Sequence, residues 1–245
     1  MALIINGQVG WFSGIVIPST LSNSIYSVYK AENNTNDSFG SRNGTPMGGL
    51  TYTTGKSGQA FNFNGTTSYI DMGDVMDVGT SSWSYSMWFN ATNTFFTQTL
   101  FGKTIAAGVR GRIWGAIDNY KLVIGFDADA ANVIIVETPA LSVLSNTWYH
   151  AVFILDRNDK LKLYLNGSLV SLTTINGTNN VTPYTATNYN TNNPFRIGAY
   201  TASDNTTAFQ FYVGKIDEFN IWNRAITSTE ATELYNSGTG KFYPY

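Results

Sequence analysis

The stretch Trp148–Gly167 constrains this chain most, because it is an apolar hairpin that water alone cannot keep folded. On an extended strand, Trp148, His150, Val152 and Ile154 fall on one face and Tyr149, Ala151, Phe153 and Leu155 on the other. The turn formers Asp156-Arg157-Asn158-Asp159-Lys160 follow. Leu161, Leu163 and Leu165 then resume on one face, with Lys162 and Tyr164 opposite. Asn166-Gly167 closes the unit, a pair suited to the positive φ angles of a hairpin turn. Two apolar faces need a layer on each side, so the rest of the chain must supply further sheets.

The chain is long enough to do so. At 245 residues a single large all-β domain buries about 70–75% of its unfolded surface. Charged residues make up only 12% and apolar residues 43%, which argues against disorder. Polarity is carried by Asn, Thr, Ser, Gly and Tyr, a surface suited to uncharged partners such as sugars. The net charge is −2 and the 14 Lys and Arg form no cluster, so phosphate-neutralising nucleic-acid binding is not expected. No cysteine and a single histidine argue against disulfides, thiolate zinc sites and Ser-His-Asp chemistry. No apolar run reaches the ~20 residues of a membrane span, so no membrane partner is expected. Lys30 is the first basic side chain, so the charged start of a secretory signal is missing.

Turn signals space many short strands along the chain. Candidates are a hairpin of Gln59–Phe63 and Ser68–Met72 turning at Asn64-Gly65, then Trp83–Asn90, Leu100–Gly102, Arg112–Ile117, Lys121–Phe126 and Val133–Val136. Strands return at Phe195–Tyr200 and Phe211–Trp222 after a polar loop over 178–193. In Trp83–Asn90, Trp83, Tyr85, Met87 and Phe89 oppose Ser84, Ser86 and Trp88. One helix is expected over Ser228 to about Asn236, capped by Thr227 with Glu230 completing a capping box and Gly238 ending it. This spacing fits an antiparallel sandwich in one domain. Residues 1–24 read as an N-terminal arm, with Ile4, Trp11, Phe12, Ile15 and Ile17 carrying apolar surface that needs cover. Either the arm adds a strand to its own domain or it docks on a neighbouring subunit. We favour docking, and a homo-oligomer is expected.

Four blocks in order carry a family likeness. They are Tyr29–Gly40, Gly55–Gly65, the pair Trp148–Val152 and Leu163–Gly167, and Gly214–Ile226. Together they resemble laminin-G-like, concanavalin A-like domains. The resemblance implies that residues 25–245 form a jelly-roll sandwich of two antiparallel sheets with one short C-terminal helix. It also implies a structural Ca²⁺ held by Asp37 and Asp217, with Asn34, Asn36 and the backbone near Gly40 as helpers. The other reading of these carboxylates is as acceptors for nearby loop N–H groups. On a regular strand, Asp217 and Glu218 would point to opposite faces.

The glucanases of that superfamily carry Glu-x-Asp-x-x-Glu on one strand, a pattern missing here, so no enzyme activity is expected. His150 reads as an inter-strand core histidine. Trp114, Tyr120, Tyr184, Tyr189 and Tyr200, with Arg112, are candidates for stacking on sugar rings, against the alternative of ordinary half-buried sheet aromatics. The expected function is a binding or adhesion module for glycans or cell-surface polysaccharide. Resemblance to stand-alone phage head-fibre, decoration and tail-adhesin domains implies a virion surface, with other virion proteins as partners. The alternatives are a purely structural assembly protein without ligand, a bacterial carbohydrate-binding protein that is intracellular or exported without a classical signal, and, last, a glycoside hydrolase.

Overall fold

The computed structural model describes residues 19–77, 79–103, 112–127, 132–186, 188, 190–202, 204 and 206–245, and the backbone of 2–5 and 8–11. Tyr149–Leu155 pairs antiparallel with Leu161–Leu165 on one edge and with Trp83–Ala91 on the other. Asn166 and Gly167 take φ of 50° and 75°, and Leu165 then faces Ser168 across the turn. One side-chain row, Ala151, Phe153, Leu155, Leu161 and Leu163, enters the core between two sheets. Val152, Ile154 and Tyr164 point the other way, into a second core.

The back sheet runs Ser168–Leu169, Leu161–Leu165, Tyr149–Leu155, Trp83–Ala91, Val213–Trp222, Gln59–Asn64, Thr51–Thr54. Ile25–Tyr29 joins it beside the far half of Val213–Trp222. The front sheet runs Thr173–Asn176, Val133–Glu137, Lys121–Asp127, Ile113–Asp118, Gln98–Lys103, Phe195–Ile197, Tyr69–Asp71, Thr45–Met47. Trp83, Tyr85, Met87 and Phe89 meet Phe101 and Phe195 between the sheets, where the Tyr85 and Phe101 rings stack at 4.5 Å. The result is the expected all-β jelly-roll sandwich. Among the described residues, no helix is long and apolar enough to cross a membrane.

One expected hairpin does not form. Gln59–Asn64 belongs to the back sheet and Tyr69–Asp71 to the front one, so the chain crosses between layers there. The loop is built from side-chain caps. Asn64 Oδ1 accepts the N–H groups of Thr66, Thr67 and Ser68 at 2.9–3.0 Å, and Ser68 Oγ accepts from Asn64 N. These bonds replace the cross-strand ladder that a two-residue turn would need.

The second core lies on the outer side of the back sheet. Helix Ser228–Tyr235 and the C-terminal tyrosines cover Val28, Val152, Ile154 and Trp222 there. Both halves of the Thr227/Glu230 capping box are present, and left-handed Asn236 (φ 45°), rather than Gly238, ends the helix. In the N-terminal segment, Ala2–Ile5 pairs with Gln8–Trp11, placing Ile4 and Trp11 on a two-stranded ribbon. Phe12, Ile15 and Ile17 lie outside the described residues. The last part of the expected arm is fastened to the domain. Leu21 is fully buried, its carbonyl accepts Trp222 Nε1–H at 2.7 Å, and Thr20 and Asn23 carbonyls accept from Arg224. The arm as a separate element therefore ends before Thr20.

A chain starting at residue 25 should be less stable in urea unfolding than one starting at residue 19. The expected difference is about 2–5 kcal/mol, the cost of losing a buried leucine. Equal stability of the two truncations would refute the placement of Thr20–Asn23 in the domain.

Candidate functional site

Alternation along Ile113–Asp118 sends Ile113 and Ile117 inward and Trp114, Ala116 and Asp118 to the outer face of the front sheet. In register beside them lie Gly125 and Ile135 next to Trp114, and Val123 next to Ala116. A small hairpin, Tyr200–Thr201 with Ala208–Phe209, stands against this face. Arg196 Nη2–H donates to Thr206 O at 2.7 Å, and Thr99 N–H to Gln210 O at 2.9 Å, holding the hairpin upright. Floor and wall enclose a groove of about 330 Å³, within the range of small-ligand sites. Its lining includes Trp114, Asp118, Ile135, Tyr200, Phe209 and Gln210.

Trp114 takes its place because of a missing side chain. A Cβ at Gly125 would stand 2.0 Å from Trp114 Cζ2, so only glycine lets the indole lie down on the adjacent strand. Tyr200 meets Trp114 edge-on at 6.1 Å, and Phe209 meets Tyr200 edge-on at 5.2 Å. Arg112 donates to Tyr200 Oη at 3.2 Å and ion-pairs with buried Asp127. Of the residues expected from sequence, Trp114 and Tyr200 thus line the groove and Arg112 supports it.

The other candidates lie elsewhere. Tyr120 packs against Phe95 at one end of the sandwich. Tyr184 packs on the main core, and its carbonyl accepts from Arg157. Tyr189 lies outside the described residues. Asp118, Thr97, Phe209 and Gln210 were missed. The alternation Trp114-x-Ala116-x-Asp118 was the available signal for the first of these.

Residues 64–232, more than half of the chain, match the Laminin_G_3 family, described as the concanavalin A-like lectin/glucanases superfamily. The chain belongs to that superfamily. A comparison with curated protein sequences gives no match. Among solved structures, the binding domain of Paraclostridial Mosquitocidal Protein 1 is similar at TM-score 0.69 and 16% identity, covering 88% of this chain and 52% of that one. Domain 4 of AbnA, an extracellular arabinanase of Geobacillus stearothermophilus seen with arabinotriose, gives TM-score 0.59 and 22% identity, covering 86% and 98%. The binding domain of botulinum neurotoxin serotype C1 gives 0.64 and 15%, covering 87% and 52%. The chain thus spans about half the length of these toxin binding domains. The similar structures named here are binding domains or, in AbnA, one domain of an enzyme, and at these identities the likeness is one of fold.

The calcium implied by resemblance to the superfamily can be tested against the donor set. Asp37 Oδ1 accepts N–H from Val28 and Phe39, both at 3.0 Å, and Oδ2 faces Arg42 N–H at 3.4 Å. Asn34 Oδ1 accepts from Asn36 N, and Gly40 packs beside Asp37 Oδ2. Asp217 Oδ2 accepts from Lys56 and Ser57 N–H at 2.8 and 2.9 Å. N–H dipoles at these oxygens occupy the places where a cation would need bare lone pairs, and calcium needs six to eight oxygens. Among the described residues, no three His, Asp or Glu side chains converge to hold a metal. These donors do not fit the ion. An oxygen cage does occur elsewhere, filled by an ammonium. Lys103 Nζ lies 2.7 Å from Asp74 Oδ1 and Val75 O and 2.8 Å from Asp77 Oδ1.

Asp217 and Glu218 do not point to opposite environments. A bulge between Asp217 and Asn220 puts Glu218 at φ 49°, and both carboxyls are buried. Burial pushes Asp217 up to about 7, against its three N–H bonds. Burial, then the neighbouring Asp217 charge, pushes Glu218 up to about 8. His150 is an inter-strand histidine as expected. Ser86 Oγ lies 2.9 Å from Nε2, Trp88 and Tyr235 flank the ring, and burial pulls the imidazole down to about 3.

Two outcomes follow from these contacts. The melting temperature should be unchanged between excess chelator and excess Ca²⁺, and a rise with Ca²⁺ would restore the metal reading. Because both buried carboxyls hold protons more tightly folded than unfolded, their stabilisation is full below about pH 4. It is lost as pH rises through about 7 and 8. Glu218→Gln should flatten this decline between pH 5 and 9, and an unaltered slope in the melting series would count against it.

Proposed function

We propose that this chain is a non-enzymatic carbohydrate-binding module whose ligand lies in the groove of the front sheet. The observation that carries this reading is Trp114 laid flat over Gly125 with Tyr200 set edge-on beside it. Sugar rings present apolar C–H faces that stack on such aromatics, while their hydroxyls need acceptors and donors at the rim. Asp118, Thr97 and Gln210 supply those at one end. The Cα atoms of Trp114 and Asp118, four residues apart on one strand, are about 13 Å apart, which suits a short oligosaccharide.

The arabinotriose in the similar AbnA domain, a neutral oligosaccharide, supports glycan as the ligand class. Hydrolysis by the usual mechanism needs two carboxyls flanking the bond. Among the described residues the groove lining holds one, Asp118. For the setting, we propose display on a virion surface as an adhesin. The low-charge, Asn- and Thr-rich composition supports it, and detection of the chain in purified particles by mass spectrometry tests it.

On a glycan array, the full chain should bind a subset of oligosaccharides, and Trp114→Ala should abolish binding with an unchanged far-UV spectrum. Gly125→Ala, which lifts the indole, should weaken binding about ten-fold or more, the loss of one aromatic contact at about 1.4 kcal/mol. Binding that survives Trp114→Ala in full would move the site elsewhere.

A further inference from the structure

We infer that the groove selects neutral and cationic glycans against acidic ones, and that Asp118 sets the preference. This deepens the reading of the groove as a glycan site and rests on it. Among the described residues, each cation on the outer face around the groove is matched by a carboxylate. Arg112 pairs with Asp127, Lys121 with Glu137 at 2.6 Å, and Arg196 with Asp71 at 3.2 Å. Asp118 has no such partner. Thr97 Oγ1–H donates to its Oδ1 at 2.6 Å, and among the described residues no Lys or Arg nitrogen lies within 4 Å of it. Among the described residues, one carboxylate without a cationic partner therefore lines the groove.

The aromatic lining acts in the same direction. The π-faces of Tyr200 and Phe209 carry negative potential, attracting cations and repelling anions, and at Trp114 that attraction is already used by Arg112, whose guanidinium lies 5.4 Å from the ring centroid. An ionised carboxylate accepts hydrogen bonds and donates none, so Asp118 suits sugar hydroxyls or an ammonium and opposes a uronate or sialate. At about 6 Å and an effective dielectric of about 40, like-charge repulsion weakens binding about ten-fold. An arginine that would rescue an acidic sugar is close, but Arg112 is already held by Asp127 and Tyr200.

The test uses matched probes on one array with the full chain: galactotriose against trigalacturonate, lactose against sialyllactose, and chitotriose against its fully deacetylated, cationic trimer. Within each pair that binds, the acidic member should bind about ten-fold more weakly and the cationic member at least as well as the neutral one. Raising salt from 0.05 to 0.5 M should shrink both differences, since screening shortens the reach of the charge (these salt values bracket roughly physiological strength). Asp118→Asn keeps the acceptor for Thr97 and should bring the acidic and neutral members together. Acidic glycans bound as tightly as their neutral partners, or a ratio unmoved by both Asp118→Asn and salt, would overturn the inference and leave the glycan reading standing. If no probe bound the wild type, the groove reading would fail, and this inference with it.

Discussion

Burial on both faces of the back sheet is the constraint on which this structure depends. Tyr149–Leu155 and Leu161–Leu165 carry apolar rows on both sides, and exposing either row would cost roughly 1.5–3 kcal/mol for each large side chain. The front sheet covers one face. Helix Ser228–Tyr235, Leu21 and the C-terminal tyrosines cover the other. This arrangement explains why Leu21, far from the helix in sequence, is tied to Trp222 by a buried hydrogen bond. It also leaves the outer face of the front sheet as the broad sheet surface available for a ligand.

That available face is prepared by glycine on both of its sides. Gly115 makes room for Phe101 on the inner side, where a Cβ would stand 2.4 Å from the ring, and Gly125 makes room for Trp114 on the outer side. Adjacent strands can then hold large aromatics close to the backbone, and the groove floor stays low beneath the Tyr200–Phe209 hairpin. Among the described residues, the cations of this face, Arg112, Lys121 and Arg196, are each paired with a carboxylate.

Val213–Trp222 must pair with three other strands, and its bulge is the consequence. Gln59–Asn64 follows its first half, Ile25–Tyr29 its second, and Trp83–Ala91 runs along the opposite edge. The extra residue at the change of partner buries Asp217 and Glu218 together. Asp217 is then satisfied by the Lys56–Ser57 turn, which it fastens to the sheet. These acidic residues serve the architecture, and their adjacency in sequence is no sign of paired catalytic carboxyls.

Local patterns in the sequence settled a good deal. Two-residue alternation and the turn formers of Asp156–Lys160 determined the central hairpin, Asn166-Gly167 determined the turn into Ser168–Leu169, and Thr227 with Glu230 determined where the helix begins. These depend on neighbours in the chain, so the residues themselves carry the information. Tertiary structure decided that Asn64–Ser68 crosses between sheets, because the same Asn-Gly pair serves a hairpin or an arch according to which partner strand is available. It decided that Asp217 and Glu218 share one buried bulge, because a bulge arises from pairing with distant strands. It also chose, among the scattered candidate aromatics, Trp114 and Tyr200 for the groove and Tyr120 and Tyr184 for other places. That choice rests on register: Trp114, Gly125 and Ile135 become neighbours only when three strands align, and no local property of any one strand specifies the alignment.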